Sequence, residues 1–152
     1  DPPTALKLVT STAQQAIGAA NISPNEISGI GVTSQRQSLV LINLEGQAIY
    51  AMPSSDMRAE IEGKEIDANA LVDVWELTGH GPGRLTAWAR LQWFASREPE
   101  IYERTRTVCS IADWIILELT GELLMEQTLA VESALGCWQL AIPQRRSLQH
   151  SI

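Results

Sequence analysis

A chain of 152 residues with 45% hydrophobic content is long enough to bury one sizeable core, which excludes disorder as the default reading. Eleven Lys and Arg stand against 18 Asp and Glu, a net charge of −7, so a phosphate backbone is repelled and nucleic acid is excluded as a natural partner. No apolar run nears the roughly 20 residues that cross a bilayer, and no basic segment followed by an apolar core opens the chain; the expectation is a soluble, cytoplasmic protein with no membrane partner.

From Ala5 to Ala20, apolar residues at Leu6, Val9, Ala13, Ala16, Ile17 and Ala20 fall on one helical stripe, with Thr4 as the expected cap. Asn21 to Asn25 is a turn, and Pro24 in it opposes continuing the helix. Ile27 to Thr33 reads as a strand whose glycines, Gly29 and Gly31, admit a neighbouring backbone or helix. Leu39 to Leu44 is almost wholly apolar, as a strand covered on both faces must be, and Glu45-Gly46 turns it into a second strand over Gln47 to Ala51. Between them lies a polar corner, Ser34-Gln35-Arg36-Gln37.

Arg58 to Thr78 suggests helix broken into pieces, stopped by Gly79-His80-Gly81-Pro82-Gly83. Leu85, Trp88, Leu91, Phe94 and Ala95 form the apolar stripe of a further helix that ends before Pro99. Ser110-Ile111-Ala112-Asp113 resembles a capping box and Gly121 a matching stop, giving a short helix over Ala112 to Thr120. The five tryptophans sit mostly on apolar stripes and are assigned to the core. Cys109 and Cys137 lack CxxC spacing and are expected as reduced, buried thiols, while His80 and His150 have no partners at metal-ligand spacing. A helix, then strands, then several helices indicates one α/β layer arrangement.

In order, these landmarks resemble the N-terminal half of an FGGY-family carbohydrate kinase, the group of glycerol kinases, xylulose kinases and their relatives. Ile30-Gly31-Val32-Thr33-Ser34-Gln35-Arg36 is similar to the strand that ends at the sugar cleft, and Leu39 to Gly46 to the hairpin after it. Pro53-Ser54-Ser55-Asp56-Met57-Arg58 resembles the Trp-x-Asp-x-Arg segment; Thr78-Gly79 and Leu91-Gln92-Trp93-Phe94 resemble the Thr-Gly loop and the Leu-x-Trp helix. Glu98-Pro99-Glu100-Ile101-Tyr102, Ser110 to Ile115 and Leu119-Thr120-Gly121-Glu122 follow in the family's order and spacing. The resemblance implies an α/β fold of the ribonuclease H-like, actin-like ATPase type, present in part, with a mixed sheet and several helices. Residues 1–152 would form part of a substrate-side N-terminal domain, with no second domain.

The same resemblance implies a parent enzyme that uses ATP and Mg²⁺ to phosphorylate a sugar or polyol, and leaves homo-oligomerisation open. Glycerol kinases carry Arg-Glu, and xylulose kinases Met-His, where this chain has Arg36-Gln37. Arg36 and Gln37 are therefore the first candidates for substrate contact, with Gln35 shaping the turn; a guanidinium and an amide can grip neighbouring hydroxyls at fixed geometry. Asp56 and Arg58 come second, as a cleft pair or as a structural ion pair. Ser54 replaces the family's tryptophan, and Leu85 stands where glycerol kinases place a tyrosine, so the sugar is left open. Thr78 to Arg84 reads as a helix-to-helix loop and Glu126 to Ala130 as a structural turn. The family's catalytic aspartate and Asp-x-Gly-Thr hairpin have no counterpart here, so no catalytic residue is named; the rival reading is a non-catalytic binding or assembly module derived from the kinase fold.

Overall fold

The computed structural model describes residues 1–69, 83 and 86–135. The expectations for Trp75, Trp138, Cys137, His80, His150, Leu85 and most of the Thr78 to Arg84 loop lie outside the described residues.

The first helix, α1, runs Pro2–Ala20. Its cap is Asp1 rather than Thr4: the Asp1 carboxylate accepts from the Thr4 N–H at 3.2 Å and from the Thr4 hydroxyl at 2.6 Å, and Pro2 occupies the first turn, where its missing N–H costs nothing. Asn21 ends α1 in the left-handed region (φ 53°), and Ser23 caps a short 3₁₀ turn, Pro24–Glu26.

Among the described residues, three strands form a sheet in the order β2-β1-β3: β1 is Leu39–Ile42, β2 is Ala48–Met52 and β3 is Thr107–Cys109. Asn43 closes the β1–β2 hairpin. Its side-chain oxygen accepts from the Gln47 N–H at 2.8 Å, its carbonyl accepts from the Gly46 N–H at 3.1 Å, and Gly46 takes the positive φ of 78° that the turn requires. Both ladders are antiparallel, which corrects the expectation of a mixed sheet for the described residues. Ile27 to Thr33 is likewise not a strand here. The segment pairs with none of the three strands: its glycines meet nothing and Ile30 is 74% exposed, and Val32 is its one hydrophobic side chain that packs against the cluster of Val40, Ile42 and Trp114.

β1 is the spine. Leu39 and Leu41 face one side, where they meet Met52, Val108 and Phe94; Val40 and Ile42 face the other, where they meet Cys109, Trp114 and Ile115. Each such fully buried side chain contributes roughly 1.5–3 kcal/mol, which explains why a four-residue strand can be apolar at every position. Helix α2, Glu60–Asn69, packs on α3, Ala87–Arg97, through Ala59, Ile66 and Ala89. The buried face of α3 carries Ala87, Ala89, Arg90 and Phe94, while Trp88 is 44% exposed and Ala95 is exposed. Leu91 and Phe94 of the expected stripe do face the core, while Trp88 and Ala95 do not, and the small Ala89 packs with Ala59 and Ile66 instead. The short α4, Pro99–Arg104, follows, and then β3, a strand that sequence reading missed.

Helix α5, Ile111–Thr120, bears out the capping box: the Ser110 hydroxyl accepts from the Asp113 N–H at 3.1 Å and donates to the Asp113 carboxylate at 2.7 Å, which also accepts from the Ser110 N–H at 3.2 Å. Gly121 closes it at φ 77°. Glu126 to Ala130 is not a simple turn but the start of a further helix, α6, Gln127–Glu132, capped by the Glu126 carboxylate. The Glu126 N–H donates to the other Asp113 oxygen at 3.1 Å, so one buried carboxylate ties both helix starts together. Cys109 is buried as expected; desolvation, with the nearby Asp113 charge adding to it, pushes its thiol up to about 12, leaving it protonated and inert at neutral pH. The capping box makes a direct prediction: Ser110→Ala should lower unfolding stability by ~0.5–2 kcal/mol in urea titrations, and an unchanged midpoint would show that Asp113 holds the helix start by itself.

Candidate functional site

The polar corner between Ser34 and Ser38 is held by three sets of bonds, each supplied by a different part of the fold. On one side it meets the start of α5. The Ser34 hydroxyl accepts from the Ala112 N–H at 3.1 Å and the Ser38 hydroxyl from the Ile111 N–H at 3.4 Å, satisfying first-turn donors that have no partner within the helix. Ser38 also donates to the Gln35 carbonyl at 2.8 Å, tightening the turn. On the other side, the Gln35 side-chain oxygen accepts from both the N–H and the hydroxyl of Ser54, at 2.7 and 2.6 Å. Ser54, the position where the family's tryptophan is missing, thus has its own task of bonding the corner to the segment after β2.

The third set comes from Arg90, which sequence reading missed. Its side chain is fully buried on α3, and the guanidinium donates to four backbone carbonyls: that of Gln37 in a short contact, and those of Pro53, Ser54 and Asp56 at 3.3, 3.1 and 3.2 Å. A buried cation is costly unless its donors are satisfied, and here carbonyl dipoles do that work in place of a carboxylate. Burial nonetheless holds the Arg90 pKa below the usual arginine value, the Asp56 charge opposing that shift and the Arg58 charge adding to it. Gln37, whose carbonyl Arg90 holds, sits in the left-handed region at φ 57°, a conformation that costs a non-glycine residue on the order of 1–3 kcal/mol and persists only where surroundings enforce it. The one sequence signal for Arg90 is an arginine set between Ala89 and Leu91 on a helix face that also carries Phe94.

Asp56 and Arg58 meet each other. The Arg58 Nε donates to both Asp56 carboxylate oxygens at 2.9 Å, and its Nη2 donates to the Tyr50 hydroxyl at 2.7 Å. The guanidinium also lies 4.7 Å from the Trp93 ring centre, 5.2 Å from that of Tyr50 and 5.5 Å from that of Phe94. Burial by itself would raise the Asp56 pKa, but the hydrogen bonds and charge of Arg58, joined by Arg90, bring it below the ordinary carboxylate value.

Arg36 is placed differently from its neighbours. Its side chain is 72% exposed, and Nη1 donates to a Glu132 carboxylate oxygen at 3.3 Å. Of the five residues singled out from sequence, the structure therefore brings Gln35, Gln37, Asp56 and Arg58 into one knot around Arg90 and leaves Arg36 at its rim, facing α6. Among the described residues, no group of His, Cys, Asp or Glu is arranged to hold a metal ion. No helix among them is long and apolar enough to cross a membrane.

Residues 1–136 match the model of the N-terminal domain of the FGGY family of carbohydrate kinases. An autoinducer-2 kinase from Klebsiella pneumoniae is 33% identical over 130 residues, covering 83% of this chain and 24% of the relative. One from Escherichia coli is 34% identical over 124 residues, covering 79% of this chain and 23% of the relative. The crystal structure of a xyloylose kinase from Brucella ovis aligns with a TM-score of 0.80 at 26% identity, over 88% of this chain and 28% of that one, and so places the chain in the actin-like ATPase fold of those kinases. The chain spans about a quarter of the length of the curated relatives it matches.

Two outcomes follow from the knot. Arg90→Met, which keeps the aliphatic bulk but strands four carbonyls, should cost more than about 3 kcal/mol in denaturant unfolding, with Arg90→Lys recovering part of it; a Met variant as stable as the parent would remove Arg90 from its role. Asp56 has a depressed pKa in the folded chain, so its contribution is fully present above its unfolded pKa and is lost as pH falls through the lower, folded one. Asp56→Asn should therefore flatten the acid limb of the stability profile below the usual carboxylate range, measured by urea midpoints at successive pH values.

Proposed function

Since the chain belongs to the FGGY family of carbohydrate kinases, we propose that it forms the substrate-side part of an ATP-dependent kinase that transfers the γ-phosphate to a hydroxyl of a sugar or polyol. A cytoplasmic site of action goes with that reading. The observation that carries the site assignment is the contrast at the corner: a backbone clamped by Ser54, Arg90 and the start of α5, bearing one arginine whose side chain is 72% exposed. Phosphoryl transfer depends on holding the accepting oxygen in line with the phosphate, and a charged donor on a fixed backbone supplies that positioning.

In this proposal Arg36 donates to substrate hydroxyls, and the Gln37 side chain, carried on a left-handed backbone, adds an amide donor and acceptor beside it. Gln35, engaged with Ser54, sets the height of the turn. Asp56 and Arg58 form the floor on which the corner rests, since the Asp56 carbonyl and the Gln37 carbonyl share the Arg90 guanidinium. ATP and Mg²⁺ belong to the proposed reaction, and the contribution assigned to the described residues is the binding and orientation of the sugar.

A coupled ATPase screen over a panel of sugars and polyols, run on the full-length gene product, tests the reading. ATP-dependent phosphorylation of at least one neutral sugar or polyol is expected, with negligible turnover from residues 1–152 alone. Arg36→Ala should reduce kcat/KM for that substrate by the ~1.5–3 kcal/mol typical of hydrogen bonds to a charged group, roughly ten- to more than a hundredfold. Unchanged kinetics in the variant would take Arg36 out of the site.

A further inference from the structure

The Arg36–Glu132 contact joins residues 96 positions apart, and its two side chains are 72% and 23% exposed. An exposed pair of this kind contributes little to stability, so the fold does not depend on it. Both of its backbones are nevertheless held firmly. Arg36 lies between Gln35, bonded to Ser54, and Gln37, bonded to Arg90. Glu132 ends α6, where the next residue, Ser133, is buried and its carbonyl accepts from the Ala87 N–H at the start of α3 at 2.8 Å, and where the Leu135 N–H closes back on the Ala130 carbonyl at 2.9 Å.

The contact uses one nitrogen and one oxygen. Among the described residues neither side chain makes another hydrogen bond, which leaves N–H groups of Arg36 and one carboxylate oxygen of Glu132 unused by them. A largely exposed guanidinium in contact at 3.3 Å with a carboxylate whose side chain is 23% exposed has the chemistry to meet two neighbouring hydroxyls, one accepting from the guanidinium and the next donating to the carboxylate. The pair is also neutral as a unit. A lone arginine attracts any anion, whereas one already facing a carboxylate offers a sugar acid no net attraction and places its carboxylate against that of Glu132.

We propose that Glu132 is a specificity-determining residue of the corner, acting with Arg36 to select neutral sugars or polyols bearing vicinal hydroxyls and to reject sugars bearing a carboxylate. This inference rests on the reading above that Arg36 faces the substrate. It adds a residue from the opposite end of the described chain and a charge class for the ligand.

The test is made on the full-length gene product and its Glu132→Gln and Arg36→Ala variants, each checked for an unchanged thermal melt. The probes are neutral polyols and ketoses (glycerol, xylitol, D-xylulose, D-ribulose) and aldonates (D-gluconate, D-xylonate). The parent should prefer its best neutral probe over either aldonate by at least about tenfold in kcat/KM, and Glu132→Gln, which keeps the shape and removes the charge, should move that ratio at least about tenfold towards the aldonates, through KM. If Arg36→Ala weakens the neutral probe while Glu132→Gln leaves the ratio where it was, the inference fails and the reading of the corner stands. A parent that prefers an aldonate also overturns it. If Arg36→Ala changes nothing, or no probe is phosphorylated at all, the underlying reading has failed and this inference falls with it.

Discussion

A single buried guanidinium organises this part of the molecule. Arg90 gathers the carbonyls of Gln37, Pro53, Ser54 and Asp56, and so fastens the turn before β1 to the segment after β2. The geometry matters more than the charge. A planar fork can reach several carbonyls at once, whereas a compact ammonium would have to choose among them. The arrangement has a residual cost: among the described residues, the Arg90 Nε is buried without a hydrogen-bond partner, as is one oxygen of Glu62 on the helix that packs beside it. That cost is offset by what the clamp secures, a non-glycine residue in the left-handed region whose neighbour, Arg36, is turned outward.

The sheet gives the clamp something rigid to pull against. β1 is buried on both faces, between Phe94 of α3 on one side and Trp114 of α5 on the other, so the corner that precedes it cannot shift without disturbing the centre of the core. The start of α5 then contributes twice. Its capping box stabilises its own first turn, and its remaining N–H donors are satisfied by Ser34 and Ser38 of the corner. Through Asp113 the same helix start is bonded to Glu126, which caps the helix carrying Glu132. Both members of the Arg36–Glu132 pair are in this way referred back to one helix terminus, although neither lies on it.

Much of this was legible in the sequence because it rests on local chemistry. The apolar run of β1, the turn at Gly46, the capping box at Ser110 and the stop at Gly121 each express a preference that a few consecutive residues decide among themselves. The family resemblance was legible for a related reason, since an ordered series of short signals survives even where individual residues, such as Ser54, have changed. The errors share a cause as well. Sequence pattern points to Thr4 rather than Asp1 as the cap, to Trp88 on the core face of α3 and to a strand over Ile27 to Thr33; in each case the pattern is real and its partner is not where periodicity places it.

What the amino-acid sequence determined by itself is the set of elements, the family they belong to and the presence of a polar corner with an arginine in it. What only the tertiary structure decided is who holds that corner and whom its arginine faces. Arg90 is 53 residues from Gln37, and Glu132 is 96 residues from Arg36. Contacts at such separations leave no periodic trace in the chain, because they are set by how helices and strands pack rather than by the preferences of neighbouring residues, and an arginine bound to backbone carbonyls pairs with atoms that every residue possesses.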